Sequence, residues 1–320
     1  MTAINEKIWA LGLMPVAVIP DAKQAVPLAR ALAAGGLPMI EVTFRTSGAL
    51  EGIREIARQV PAVLPGAGTV LDIQTAEAAV SAGAQFIVTP GLNPQVVRWC
   101  QEREIPVYPG IATPTELAEA VSLGIDTVKF FPAEQSGGIS MLKALSAPFP
   151  QIQFIPTGGI TPDNLPDYLA MDQVLACGGS FIVPQALIGK GAFDEIAGLT
   201  RKVIANMLDI QLLHVGMNCG SEAEAQKAAE QFKRLFGLPG RETPGTIFAG
   251  SAAEILKAPY LGEHGHLAFT VRHMARAIAY LKACGIPFRE DTIVRDDKGI
   301  LAIYLTEEIA GFALHLRRRD

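Results

Sequence analysis

The chain is poor in cysteine and tryptophan, has no excess of basic charge, and contains no long uninterrupted apolar run. Its four cysteines, Cys100, Cys177, Cys219 and Cys284, lie far apart and form no C-x-x-C pair. Too few to staple 320 residues, they read as reduced thiols and point to the cytoplasm. The apolar run Ile8 to Ile19 is cut by Gly12 and Pro15. No stretch reaches the roughly 18 to 20 apolar residues that a bilayer needs, so a membrane is excluded as a partner. Residues 1 to 7 are polar, carry Glu6 and lack the basic-then-apolar pattern of an export signal.

Charge is divided unevenly. Residues 1–206 hold 13 Lys and Arg against 18 Asp and Glu, and residues 207–320 hold 14 of each. Neither part has the basic surplus that phosphate-backbone binding requires, which argues against nucleic acid. All five histidines, His214, His264, His266, His273 and His315, fall in the second part. Different chemistry is expected on the two sides of residue 206.

What is present in the first part is a rhythm. Short apolar runs begin at Pro15, Met39, Ala62, Phe86, Pro106, Thr127, Gln153 and Gln173, each 20 to 26 residues after the last. Without strict alternation, they read as strands covered on both faces. Between them lie segments with helical spacing and start signals. Thr113-Pro114-Thr115-Glu116 is a capping box with proline at the first helical position, and Ser47, Asp72 and Thr161 stand where other N-caps are expected. Eight strand–helix units predict a (β/α)8 TIM barrel, with an open doubly wound sheet as the alternative.

A barrel places its active site at the C-terminal ends of its strands. Lys129 interrupts the apolar run Thr127-Val128-Lys129-Phe130-Phe131 on the sixth. Burial disfavours the charged amine and leaves a nucleophile suited to Schiff-base chemistry with a ketone. A stem packed in the wall with its head in solvent is the other reading. Glu41 ends the second strand, and a carboxylate across the barrel from an imine-forming lysine can carry protons. Arg45 can hold a 2-oxo acid's carboxylate in a fork, although Glu41 and Arg45 can equally form a structural pair at the barrel mouth. Thr157-Gly158-Gly159-Ile160-Thr161 and Gly178-Gly179-Ser180 fit a barrel phosphate site, and tight strand-to-helix turns need such glycines too.

The segments Glu41 to Thr46, Gly66 to Val70, Thr89-Pro90-Gly91, Pro109-Gly110, Val128 to Glu134 and Pro156 to Ile160 resemble the class I 2-keto-3-deoxy-6-phosphogluconate (KDPG) / 4-hydroxy-2-oxoglutarate (KHG) aldolases, in order and at that family's spacing over about residues 8–205. The resemblance implies a homotrimeric, metal-independent lyase. It would cleave a 2-oxo-4-hydroxy acid into pyruvate and an aldehyde, glyceraldehyde 3-phosphate or glyoxylate. Lys129 would form the imine and Glu41 would be the general acid/base. Arg45, Thr69 and Pro90 would line the pyruvate end; Thr157, Gly158, Gly159, Gly179 and Ser180 would hold the distal or phosphate end. Where family members commonly carry a basic residue after the first strand, this chain has Val18-Ile19-Pro20-Asp21. That departure bears on whether the substrate is phosphorylated. Cleavage of a non-phosphorylated 2-oxo acid and oxaloacetate decarboxylation use the same pyruvate enamine, and a phosphate-binding isomerase barrel would leave Lys129 unexplained.

Beyond the predicted helix 192–208 the pattern changes. Gly237-Leu238-Pro239-Gly240-Arg241-Glu242 recurs 48 residues later as Gly285-Ile286-Pro287-Phe288-Arg289-Glu290, each after an amphipathic helix that itself follows a strand. A duplicated βαβββ module, hence an α+β domain over 207–320, is expected. This part resembles the glyoxalase / vicinal-oxygen-chelate superfamily. By position, that resemblance implies a divalent metal held by His214, Glu254, His266 and His315, with His315 standing where the superfamily usually has a carboxylate. The alternative is a module for ligand binding or assembly.

Overall fold

Strands buried on both faces must be covered by helices, and the computed structural model, which describes residues 2–319, arranges them so. Eight parallel strands form the first wall: β1 (Leu13–Ala17), β2 (Met39–Thr43), β3 (Leu64–Gly68), β4 (Ile87–Val88), β5 (Val107–Tyr108, resuming at Gly110–Ile111 after Pro109), β6 (Thr127–Phe130), β7 (Gln153–Pro156) and β8 (Cys177–Gly179). Hydrogen bonds run β5-β4-β3-β2-β1-β8 in one sheet and β5-β6-β7 in the other; single bridges from Phe154 to Val174 and from Thr157 to Gly178 join β7 to the β8 segment. The circuit closes as a (β/α)8 barrel, and an open sheet is excluded by the pairing of β1 with β8. Phe86, Tyr108, Phe130 and Phe154 fill the interior with no more than 1% exposure. The helix Ala3–Leu11 is tied to the starts of β5 and β6, where Tyr108 donates to Asn5 at 2.6 Å and Asn5 to Thr127 at 3.3 Å.

Local signals explain most helix starts. Thr113 and Glu116 form a reciprocal capping box ahead of Pro114–Ser122, and Asp72 accepts from the Thr75 amide ahead of Ile73–Ser81. Two expected caps are corrected. The helix Ala49–Gln59 starts from Gly48 rather than Ser47, with no side-chain cap, and Leu165–Leu169 starts from Asn164 rather than Thr161. Thr161 and Asn164 instead bond each other's amides in a local turn, which postpones the helix.

The chain divides into two units at 207/208. The second contains two βαβββ modules. The first is β9 (Gln211–Asn218), the helix Glu222–Phe236, β10 (Gly240–Glu242), β11 (Thr246–Ala249) and β12 (Ala253–Leu256). The second is β13 (Gly265–Val271), the helix Met274–Ala283, β14 (Phe288–Asp296), β15 (Gly299–Ile309) and β16 (Phe312–Arg318). All eight strands make one sheet in the order β10-β11-β12-β9-β13-β16-β15-β14. Each module's first strand lies parallel to its own last strand, β9 with β12 and β13 with β16, and the modules meet where β9 runs antiparallel to β13. The four central strands are therefore those expected to carry His214, Glu254, His266 and His315. No described helix is long and apolar enough to cross a membrane.

Candidate functional site

In the barrel, β2 and β6 each turn one charged side chain into an otherwise apolar interior. Glu41 is 1% exposed and Lys129 is 6% exposed. The Lys129 Nζ lies 3.4 Å from Glu41 Oε1, and no other ion pair involves either residue among the described residues. Glu41 Oε2 is buried with no hydrogen-bond partner, so the carboxylate keeps one oxygen free for a proton-bearing guest. The amine also sits 5.1 Å from the centre of the Phe131 ring.

Room for this pair depends on a neighbour. A Cβ at Gly68, the last residue of β3, would fall 2.1 Å from Glu41 Oε1 and 2.7 Å from its Cδ. Only the missing side chain lets the carboxylate lie across β3 towards the amine. The next residue, Thr69, has φ of 57°, a left-handed conformation uncommon for a β-branched residue. There its hydroxyl accepts from Arg45 Nε at 3.3 Å.

Above lies a cavity of about 250 Å³ lined by Val16, Val18, Arg45, Phe131, Thr157, Gly158, Gly159, Ile160, Gly179 and Ser180. It gathers all five residues expected at the distal end, together with Arg45. Glu41, Lys129, Thr69 and Pro90 are outside that lining; Pro90 instead packs its carbonyl where a Cβ of Gly110 would come within 2.3 Å. Arg45 is exposed at the mouth. Val16, Val18 and Phe131 were not foreseen as lining residues, because an apolar side chain at a strand end carries no signal separating a substrate wall from core. Glu134 accepts a hydrogen bond from the buried Tyr168 hydroxyl and packs against Gly159, so this strand-end acid is occupied by the scaffold. Asp21, after β1, caps the turn Ala22–Gln24 by accepting from the Lys23 amide.

The second unit brings its four candidates together. His214 Nε2 lies 3.0 Å and His266 Nε2 3.2 Å from Glu254 Oε2, and the two imidazole nitrogens are 3.1 Å apart. His315 joins the two histidines, ligand atoms within 4.8 Å of one another, and stacks on Tyr304 at 4.7 Å between ring centres. Both its ring nitrogens are buried without a hydrogen-bond partner. Burial, followed by the neighbouring His266 and His214, pushes the His315 imidazole down to about 3, so it stays neutral with its lone pair available. For Glu254 burial works upward, but hydrogen bonds from His214 and His266 outweigh it and hold the carboxyl well below its ordinary range. Gly216 faces both Glu254 and His266 across the ladders, and a Cβ there would strike the His266 ring at 2.1 Å. His264 is exposed against Phe312 and takes no part in this cluster.

The family described as "Aldolase: KDPG and KHG aldolase" matches residues 4–199. The 2-dehydro-3-deoxy-phosphogluconate aldolase of Treponema pallidum (strain Nichols) is 46% identical over 204 residues, covering 64% of this chain and 97% of that protein. The KHG/KDPG aldolase of Escherichia coli (strain K12) is 45% identical over 200 residues, covering 62% and 94%. A KDPG aldolase structure from Legionella pneumophila, with pyruvate captured at low pH as a covalent carbinolamine intermediate, is similar with a TM-score of 0.60. At 40% identity it covers 62% of this chain and 97% of that one. A parallel (β/α)8 barrel with these relatives defines a carbon–carbon lyase of the imine-forming class. The chain belongs to the KDPG and KHG aldolase family.

Proposed function

We propose that the barrel cleaves KDPG, KHG or both to pyruvate and an aldehyde, with Lys129 forming the imine and Glu41 moving the protons. The observation that carries this is the buried amine–carboxylate pair at 3.4 Å. The Lys129 amine adds to the substrate C2 carbonyl, and loss of water leaves an iminium ion. A base takes the proton of the C4 hydroxyl, the C3–C4 bond breaks into the iminium, and the aldehyde leaves. Protonation of the enamine at C3 and hydrolysis then release pyruvate and the amine. In this reading Glu41, beside the nitrogen and with one oxygen free, exchanges protons with the carbinolamine and C3. The same reading has Arg45, bonded to Thr69, receive the substrate carboxylate, with Pro90 lining the pyruvate end and Thr157, Gly158, Gly159, Gly179 and Ser180 receiving the distal end. Arg45→Lys keeps the charge but loses the fork; about a tenfold rise in KM with little change in kcat is expected in steady-state assays.

A non-phosphorylated substrate is favoured by one feature of the distal cavity. Val16 and Val18 line it, Arg45 is its one cation, and the acid following β1 is committed to a cap. Comparing kcat/KM for KDPG and KHG tests this: a preference for KHG supports the second reading, and a strong preference for KDPG removes it. Absence of cleavage of both would overturn the aldolase roles. A homotrimer in the cytoplasm completes this reading, the latter supported by four free thiols.

The second unit is read as a glyoxalase-like module holding a divalent metal through His214, Glu254, His266 and His315. The residues fit such an ion. Three donor atoms stand 3.0 to 3.2 Å apart, close to the roughly 3 Å expected between neighbouring ligands about 2.1 Å from one ion, and the fourth residue has unpartnered buried nitrogens. When bound, the metal would supply Lewis-acid polarisation of a ligand oxygen. Metal analysis of the full-length protein against the variant H214A/H266A tests this; equal, negligible metal in both would end it. Gly216→Ala, which displaces the His266 ring, should weaken Mn2+ affinity at least about tenfold in titration calorimetry.

A further inference from the structure

β16 closes with Arg317 and Arg318 and is followed by Arg319, and the fates of the three differ. Arg318 pairs with Asp296, and Arg319 reaches Asp209 at 2.6 Å. Arg317, between His315 and these two, has neither an ion pair nor a side-chain hydrogen bond among the described residues. Two positions beyond His315 on a strand, it shares that residue's face. It is half-buried and lines a cavity of about 340 Å³ with the four candidate ligands, Tyr260, Thr292 and Tyr304. A half-buried guanidinium on the wall of that cavity, with no ion pair of its own, offers its fork to an anionic guest.

We propose that this cavity binds a small 2-oxo acid, its carboxylate in the fork of Arg317 and its oxo side towards the His214, Glu254, His266 and His315 cluster. The inference rests on the metal reading above and names the ligand class of that site. Three arguments favour a carboxylate over other anions. First, charge: a divalent ion with one carboxylate ligand and neutral imidazoles leaves a surplus positive charge, to which Arg317 adds another, so the guest is an anion with an electron-rich oxygen beside it. Second, donor count: the Thr292 hydroxyl already donates to the Arg289 carbonyl at 2.6 Å and accepts from the Tyr304 amide at 3.0 Å. That leaves the Arg317 fork as the one cationic donor in the lining, whose planar geometry matches a carboxylate. Third, the flank: Leu256, Val294 and Ala302 offer apolar cover for a short carbon chain. Both units of the chain would then take the same chemical class, the second acting on or sensing what the first consumes or releases.

The test uses the full-length chain in a Lys129→Ala background, so that no imine competes. Mn2+ alone is titrated first, then pyruvate into the Mn2+-loaded protein, with propionate and inorganic phosphate as comparison probes. Pyruvate is expected to bind only with Mn2+ present and more tightly than propionate. Arg317→Met should weaken pyruvate about tenfold while leaving Mn2+ affinity within about twofold. Mn2+ binding without pyruvate binding, equal pyruvate binding by Arg317→Met, or tighter binding of phosphate overturns the ligand assignment and leaves the metal reading standing. Mn2+ binding no stronger than in H214A/H266A overturns both.

Discussion

Lys129→Ala is expected to abolish aldol cleavage, lowering kcat by on the order of 10⁴-fold or more, because it removes the atom that bonds the substrate. The same change should eliminate covalent trapping. Incubated with pyruvate and borohydride, the unsubstituted protein should gain the mass of one reduced pyruvyl group on Lys129, and the variant should gain none. The substitution leaves the Glu41 carboxylate buried and unpaired, which costs about 3 to 5 kcal/mol, so a lower melting temperature with the fold retained is expected. A cooperative melt well above the assay temperature and a parental circular dichroism spectrum, with trapping lost, separate chemistry from collapse. Trapping that persists at another lysine, or cleavage by Lys129→Ala at the parent rate, would remove Lys129 from the role.

The barrel was legible because its signals are local and repeated. All eight strand positions follow from apolar runs at regular spacing, and the observed strands lie within or beside them. Ends are shorter where the runs include turn residues: the eighth run begins at Gln173, but only Cys177–Gly179 is laddered. Lys129 and Glu41 stood out because charge in an apolar run has few explanations. What sequence could not show was who makes room for whom. Gly68 looks like any strand-end glycine until Glu41 is seen lying over it, and Gly216 is mute without the His266 ring. Arg317 was missed for a related reason. Three adjacent arginines read as a solvated charge run, and only the ion pairs of Arg318 and Arg319 single out the one left over. The histidine cluster shows the opposite case: four residues spread over about a hundred positions converge because each sits on a module's first or last strand and those strands lie side by side.

Gly68→Ala should come close to the loss caused by Glu41→Gln although it touches no charge. The added methyl would occupy space 2.1 Å from Glu41 Oε1, inside any allowed contact. β3 is hydrogen-bonded to β2 through the Thr43–Gly68 register, and the backbone there has little freedom to retreat. The flexible partner is the carboxylate, which must swing away from Lys129. Loss of a positioned acid/base typically costs 10² to 10⁴ in rate, so a fall in kcat of roughly that size is expected, with imine trapping slowed as well. Overpacking of about 1 to 3 kcal/mol would lower the melting temperature modestly, which alone would not distinguish mechanism from strain. The double variant Gly68→Ala/Glu41→Ala provides the distinction, because alanine removes the Cγ, Cδ and Oε1 atoms that the new methyl would meet at 2.1 to 2.7 Å. If displacement of the carboxylate is the cause, Gly68→Ala should cost little further activity in the Glu41→Ala background, where there is no carboxylate left to displace. An undiminished additive loss, or a Gly68→Ala enzyme with parental kcat, would show that Glu41 is not the group whose position β3 protects.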